Sequence, residues 1–127
     1  MIAGGNATVF VSNMDNAVRF YTEVLGLRLA ERYGDHWATV DAGRGFTIGL
    51  HPASQKYPAP GTRGGMMVGL EVNQPMETVV QQLRNKGVHF TGEILRDQGG
   101  TFAHLEDPDG NPIYLWQMVS VPTGTPQ

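Results

Sequence analysis

Laid over itself at an offset of 61 residues, the chain matches element by element. Val9 falls on Leu70, Val11 on Val72, Val18 on Val79, Gly26 on Gly87 and Leu27 on Val88. In residues 7–11, ATVFV, the side chains of Ala7, Val9 and Val11 share one face and those of Thr8 and Phe10 the other, as on a strand. Asn13 is placed as a helix N-cap, Asp15 in the first turn and Gly26 just past the end. Between them Met14, Ala17, Val18, Tyr21, Val24 and Leu25 form a stripe at helical spacing, which predicts one amphipathic helix. Three strands follow, over 27–32, 37–41 and 46–51, punctuated by glycines. Residues 53–65 carry no periodic pattern and read as a linker or ordered loop. Then the pattern restarts. Val68, Leu70 and Val72 alternate, Pro75 takes the first helical position and Glu77 the third, Met76, Val79, Val80 and Leu83 make the stripe, and Gly87 closes it.

The fold class this predicts is α+β: two tandem βαβββ units, about 5–52 and 66–118, with a tail over 119–127. One such unit cannot bury both its helix stripe and its sheet, so the halves must share a layer in a single domain. A chain of 127 residues is long enough to bury a core without staples. It has no cysteine, which removes disulfides, thiolate nucleophiles and Cys-type zinc sites, and suits a cytoplasmic protein. Apolar runs are too short to span a bilayer, and the N-terminus lacks the basic start and apolar centre of a signal peptide. The net charge is −3, and nine Lys and Arg residues form no stripe, so neither nucleic acid nor a membrane is an expected partner.

Two segments carry a family resemblance. With MDNAVRFYTEVLGLRL in the first half and FAHLEDPDGNPIYLW in the second, the chain resembles the vicinal oxygen chelate superfamily. That superfamily includes glyoxalase I, bleomycin- and fosfomycin-resistance proteins and extradiol dioxygenases. The resemblance covers about residues 5–118, and FYTEVLGL and EDPDGN are its most specific parts. It implies a mixed sheet of eight strands wrapped into a cup, with helices outside and the ligand within. It also implies a homodimer, side by side or swapped.

In metal-using members four inward side chains hold one divalent ion. Carried over by position, these fall on Asn6, Gly49, Met67 and Tyr114, and the repeat agrees, since Asn6 and Met67 are 61 apart. Glycine has no side chain, a thioether is too soft for a hard divalent ion, an asparagine oxygen is a weak neutral ligand, and a tyrosine needs strong activation. The expectation is therefore no metal, no other cofactor, and no Lewis-acid catalysis.

Alternation assigns the remaining inward positions. Ile113 and Leu115 belong under a helix, which turns Tyr114 and Trp116 to the cup. The same rule adds Thr8, Phe10, Trp37, Thr39, His51, Gly69, Glu71, Phe102 and His104, while Ala38, Val40, Ile48, Leu50, Val68, Leu70, Ala103 and Leu105 face the helices. The candidate ligand-binding set is thus Phe10, Trp37, His51, Met67, Glu71, Phe102, His104, Tyr114 and Trp116. Duller accounts stand beside this. The tryptophans could fill the cup or a dimer interface, His51 could make only a structural hydrogen bond, His104 could be half-exposed, and Glu71 could be solvated at the rim. Asp107 and Asp109 lack the later ligands of a calcium loop and are turn residues, with Gly110 at positive φ.

Three functions stay open at this point. The first is a metal-free binding protein of the bleomycin-resistance type, holding a partly aromatic small molecule. The second is an enzyme, a lyase, isomerase or dioxygenase, using a shifted set of His51, Glu71 and His104 on a metal, or a histidine with Glu71 as acid and base. The third is a scaffold whose cup is vestigial.

Overall fold

In a computed structural model, which describes residue 1, residues 5–64 and residues 66–118, the repeat becomes two sheets. The first half runs β1 (Ala7–Val11), α1 (Met14–Arg19), β2 (Arg28–Tyr33), β3 (Trp37–Gly43) and β4 (Phe46–Pro52). The second runs β5 (Val68–Glu71), α2 (Met76–Asn85), β6 (His89–Phe90), β7 (Leu95–Asp97), β8 (Gly100–Glu106) and β9 (Pro112–Met118). The expected tail over 119–127 lies outside the described residues. No helix among the described residues is long and apolar enough to cross a membrane.

Both halves have one topology. The strands of the first sheet lie in the order β1-β4-β3-β2, with β1 parallel to β4 and the other pairs antiparallel. The second sheet is ordered β5-β9-β8-β6, with β7 also on β8. Here the structure departs from the expected single sheet of eight strands. It has a four-stranded and a five-stranded sheet, and the lateral partner of β1 is β4 while that of β5 is β9. The fifth strand arises because the equivalent of β2 is broken into β6 and β7. The offset of 61 holds for β1 and β5 but widens to 65 in the hairpins, where Ala38–Leu50 corresponds to Ala103–Leu115. Four extra residues around that break account for the change.

The alternation is borne out. Ala38, Val40, Ile48, Leu50, Ala103, Leu105, Ile113 and Leu115 are buried and, with Val11, Val18, Met76, Val80 and Leu83, form one core across both halves. Burying each large aliphatic side chain contributes about 1.5–3 kcal/mol. At the second helix Pro75 is the N-cap rather than the first helical residue, and α2 starts at Met76. Its φ is already near the proline value, so it leads into the helix without giving up a needed donor.

The first helix is not one uniform α-helix to Leu25. Asn13 caps it as expected, its side chain accepting from the Asn16 amide at 2.9 Å, but after Arg19 it widens into a π-helical turn, Phe20–Val24. The Thr22 hydroxyl donates to the Val18 carbonyl at 2.6 Å, and the Leu25 amide reaches the Phe20 carbonyl five residues back. Tyr21, the second residue of the turn, is completely buried, and its hydroxyl donates to Asp107 Oδ2 at 2.9 Å.

That bond joins the two motifs that carry the family resemblance. Asp107 opens the DPDGN turn and is itself buried. Its carboxylate also accepts from the amides of Asp109 and Asn111 and from the Asn111 side chain, all at 2.8–2.9 Å. Asn111 in turn donates to the Phe10 carbonyl at 2.9 Å, and Asp109 accepts from the Ser12 amide at 3.0 Å. FYTEVLGL and DPDGN are therefore the clasp between the halves.

Burial, first, and the adjacent Asp107 carboxylate, second, push the Tyr21 phenol well above its usual pKa of 10. Folding thus favours the neutral phenol. Its stabilising contribution is complete below pH 10, where the unfolded chain is protonated too, and is lost as pH rises toward the folded value. Tyr21→Phe is expected to cost about 2 kcal/mol at pH 7 by removing a buried charge-assisted hydrogen bond. Urea midpoints against pH should then show the wild type and the variant converging above pH 10; parallel curves would refute the assignment.

Candidate functional site

The faces turned away from the helices carry two equivalent ladders. In the first half, Thr8 and Thr39 flank Gly49, and Phe10 flanks His51. In the second, Gly69 and His104 flank Tyr114, and Glu71 and Phe102 flank Trp116. In these ladders the first half thus has one ring, His51, on its central strand and the second has two, Tyr114 and Trp116, because the first half offers glycine at 49 where the second offers tyrosine at 114.

Glycine is used here for close approach. The Trp37 indole lies across Gly49 so closely that an added Cβ would sit 2.2 Å from its Cη2 atom. The Tyr114 ring lies across Gly69 in the same way, 2.4 Å from where a Cβ would be to Cζ. Both rings lie down on the sheet because their neighbours have no side chain.

His51 is the centre of the larger cluster. Its imidazole meets Phe10 edge-on at 5.6 Å between centroids, Trp37 at 6.3 Å and Tyr57 at 4.8 Å. Tyr57 stacks on Phe10 at 5.3 Å with 18° between planes. His51 Nδ1 lies 2.8 Å from the Pro52 carbonyl, which only accepts, so Nδ1 carries a proton, and the tautomer this selects has its lone pair on Nε2. The structural hydrogen bond and a place among the site's rings thus coexist in one residue.

The other candidates divide between the second sheet and the seam. His104 and Tyr114 pack ring to ring at 6.0 Å, tilted by 31°. Trp116 and Phe102 are register partners on the adjacent row. Met67, half exposed, lines a groove of about 650 Å³ between β1, β5 and the linker, together with Asn6, Thr8, Phe10, Phe46 and Gly69. A second groove of about 510 Å³ brings Glu71 and Trp116 together with Arg44 and shares Phe46 and Gly69 with the first. Glu71 stays solvent-exposed at the rim, and its partner there is an arginine rather than a histidine: it accepts from Arg44 Nη1 at 2.6 Å, from the tip of the β3–β4 hairpin.

Neither set of metal positions fits an ion. Trp37 already fills the direction a side chain at Gly49 would take, Tyr114 is folded down over Gly69, and Asn6 and Met67 supply a neutral amide and a soft thioether. The shifted set fares no better, because His51 is enclosed by rings of the first half while Glu71 is paired with Arg44 and His104 with Tyr114. Among the described residues no three His, Cys, Asp or Glu side chains are grouped to hold a metal. What the surface can do chemically is stack flat groups, accept one hydrogen bond at His51 Nε2, and offer a phenol at Tyr114.

Two contributors escaped the sequence reading. Tyr57 sits in the aperiodic linker, where its only signal is being a lone aromatic among prolines and small residues. Arg44 is masked by its GRG turn, in which it adopts φ 52°.

The profile of the Glyoxalase/Bleomycin resistance protein/Dioxygenase superfamily matches residues 5–115. No curated protein sequence matches. Among solved structures, TnmS3, an antibiotic-binding protein from Streptomyces sp. CB03234, is 28% identical with a TM-score of 0.74, covering 94% of this chain and 98% of that one. A glyoxalase/bleomycin resistance protein from the same strain is 30% identical with a TM-score of 0.70, covering 89% and 100%. Lactoylglutathione lyase from Agrobacterium tumefaciens, at 17% identity and a TM-score of 0.71 over 91% and 92%, shares the fold.

Proposed function

Because the chain belongs to the Glyoxalase/Bleomycin resistance protein/Dioxygenase superfamily, we propose that it binds a small, partly aromatic molecule of the antibiotic kind, without a resident metal ion. The observation that carries this reading is the replacement of ion-holding groups by rings: Trp37 over Gly49 and Tyr114 over Gly69, with Phe10 and His51 beside the first. Flat groups bind such walls by area and by offset stacking, and His51 Nε2 supplies an orienting acceptor. The antibiotic-binding neighbour supports the ligand class.

Titrating intrinsic tryptophan fluorescence with a panel of planar cationic and glycopeptide antibiotics tests the proposal. Saturable quenching at micromolar concentrations is expected, carried by Trp37 and retained in Trp116→Phe. Trp37→Ala should weaken the affinity by roughly thirty-fold, the effect of removing a central aromatic wall. Indifference to the whole panel, or stoichiometric divalent metal in protein purified without chelators, would overturn it.

A further inference from the structure

Tyr57 differs from the other rings of the site in what holds it. Phe10, Trp37 and His51 are fixed on β1, β3 and β4, whereas Tyr57 rides on the linker between the sheets. That linker is tied down at two points. Its start is held by the Ala53 amide on the Val11 carbonyl at 2.9 Å. Its far end is held by the Gly61 amide on Asn111 Oδ1 at 2.8 Å and by the ion pair of Arg63 with Glu106. Between these anchors the hydrogen bonds are local: Lys56 and Tyr57 amides to Ser54, and Thr62 to Ala59. What positions the Tyr57 ring is therefore its contact with Phe10 and His51, and it is still 45% exposed.

The contact itself is that of a guest. The near-parallel stack on Phe10, at 18°, is unlike the edge-on meetings of His51 with its neighbours, and it covers the flat face a ligand ring would use. Phe10 also lines the 650 Å³ groove, whose other wall includes Pro58, Ala59 and Thr62 of the same strap. Lifting Tyr57 would join the Phe10–His51 slot to that groove without disturbing a strand.

Resting on the binding function above, we propose that Tyr57 is an intramolecular stand-in for the ligand and sets its class: a molecule ending in one flat aromatic ring, which displaces the tyrosine from Phe10. The place is filled by a single phenol ring, so a flat end group can take the same stack on Phe10, where a saturated sugar or an aliphatic chain makes no equivalent one. Displacement exchanges one stack for another, which holds affinity down and makes the ring, rather than bulk hydrophobicity, the selective feature.

The test uses the full-length protein, Tyr57→Ala and Tyr57→Phe, with two readouts. The first is the carbethoxylation rate of His51 by diethyl pyrocarbonate, mapped by peptide mass, with His104 as internal reference. Tyr57→Ala should raise the His51 rate at least about three-fold with His104 unchanged, while Tyr57→Phe keeps the wild-type rate. The second is binding of 4-aminobenzamidine, a probe ending in one flat ring, which should be tighter in Tyr57→Ala by roughly three- to ten-fold, the effect of one aromatic stack. An unchanged His51 rate overturns the stand-in role whatever the probe does. Weaker or equal probe binding in Tyr57→Ala, with the wild type still binding, overturns it too and leaves the binding function standing. Faster His51 labelling with no probe bound by any variant supports the covering role of Tyr57 and counts against the binding function.

Discussion

Asp107→Ala is expected to lower the unfolding free energy by about 3–5 kcal/mol, the cost of breaking a buried charged network by removing its central partner. The carboxylate takes four hydrogen bonds, from the Tyr21 hydroxyl, the amides of Asp109 and Asn111, and the Asn111 side chain. Alanine leaves these donors without it in a region closed to water, and it also loosens Asn111, which holds the Phe10 carbonyl. For a chain of 127 residues the melting temperature should fall by roughly 10–20 °C. Asp107→Asn, which keeps an acceptor oxygen but turns donors toward the tyrosine, should fall between. Urea unfolding at pH 7 measures both, and a loss under about 1 kcal/mol for alanine would show that the clasp does not hold the halves together.

Gly61→Ala is the second large effect. Gly61 sits at φ +78°, where an L side chain is strained, and an added Cβ would lie 2.3 Å from the Asp109 carbonyl oxygen. That oxygen cannot swing aside cheaply, because it belongs to backbone pinned by Asp107 through the Asp109 and Gly110 amides. The linker must move instead and lose its bond to Asn111 Oδ1. A cost of about 2–3 kcal/mol is expected from the strain and the lost bond together. Thermal melts of Gly61→Ala, Asp107→Ala and the double variant provide the check. The double should be less destabilised than the two losses added, since Gly61 and Asp107 act on the same turn. Full additivity would mean that the strap docks independently of the clasp.

Much of the fold could be read from the sequence because one face of every central strand is apolar, and a slip of one residue would expose all of it. Ala38, Val40, Ile48, Leu50 and their second-half equivalents are where alternation puts them. Division into two sheets was not legible: unpaired strand edges have no side-chain signature, and alternation says which face a residue takes but not which neighbour its backbone finds. The site was legible by face and not by partner. Trp37, Phe10 and His51 were all selected, but the closeness of Trp37 to Gly49 depends on a glycine that reads as a mere missing ligand. Tyr21 and Asp107 were each explained locally, one as part of a helix stripe and one as a turn former, because 86 residues separate them. Glu71 likewise has its partner 27 residues away, in a hairpin tip with no pattern of its own.

The Tyr21–Asp107 bond also bears on how the protein is made. During synthesis the leading half leaves the ribosome with a bare hydroxyl in its helix and half an interior to bury it in. Its carboxylate acceptor arrives only with the turn before the last strand. The first helix is thus left without its acceptor until that turn emerges and fastens the first half to the second.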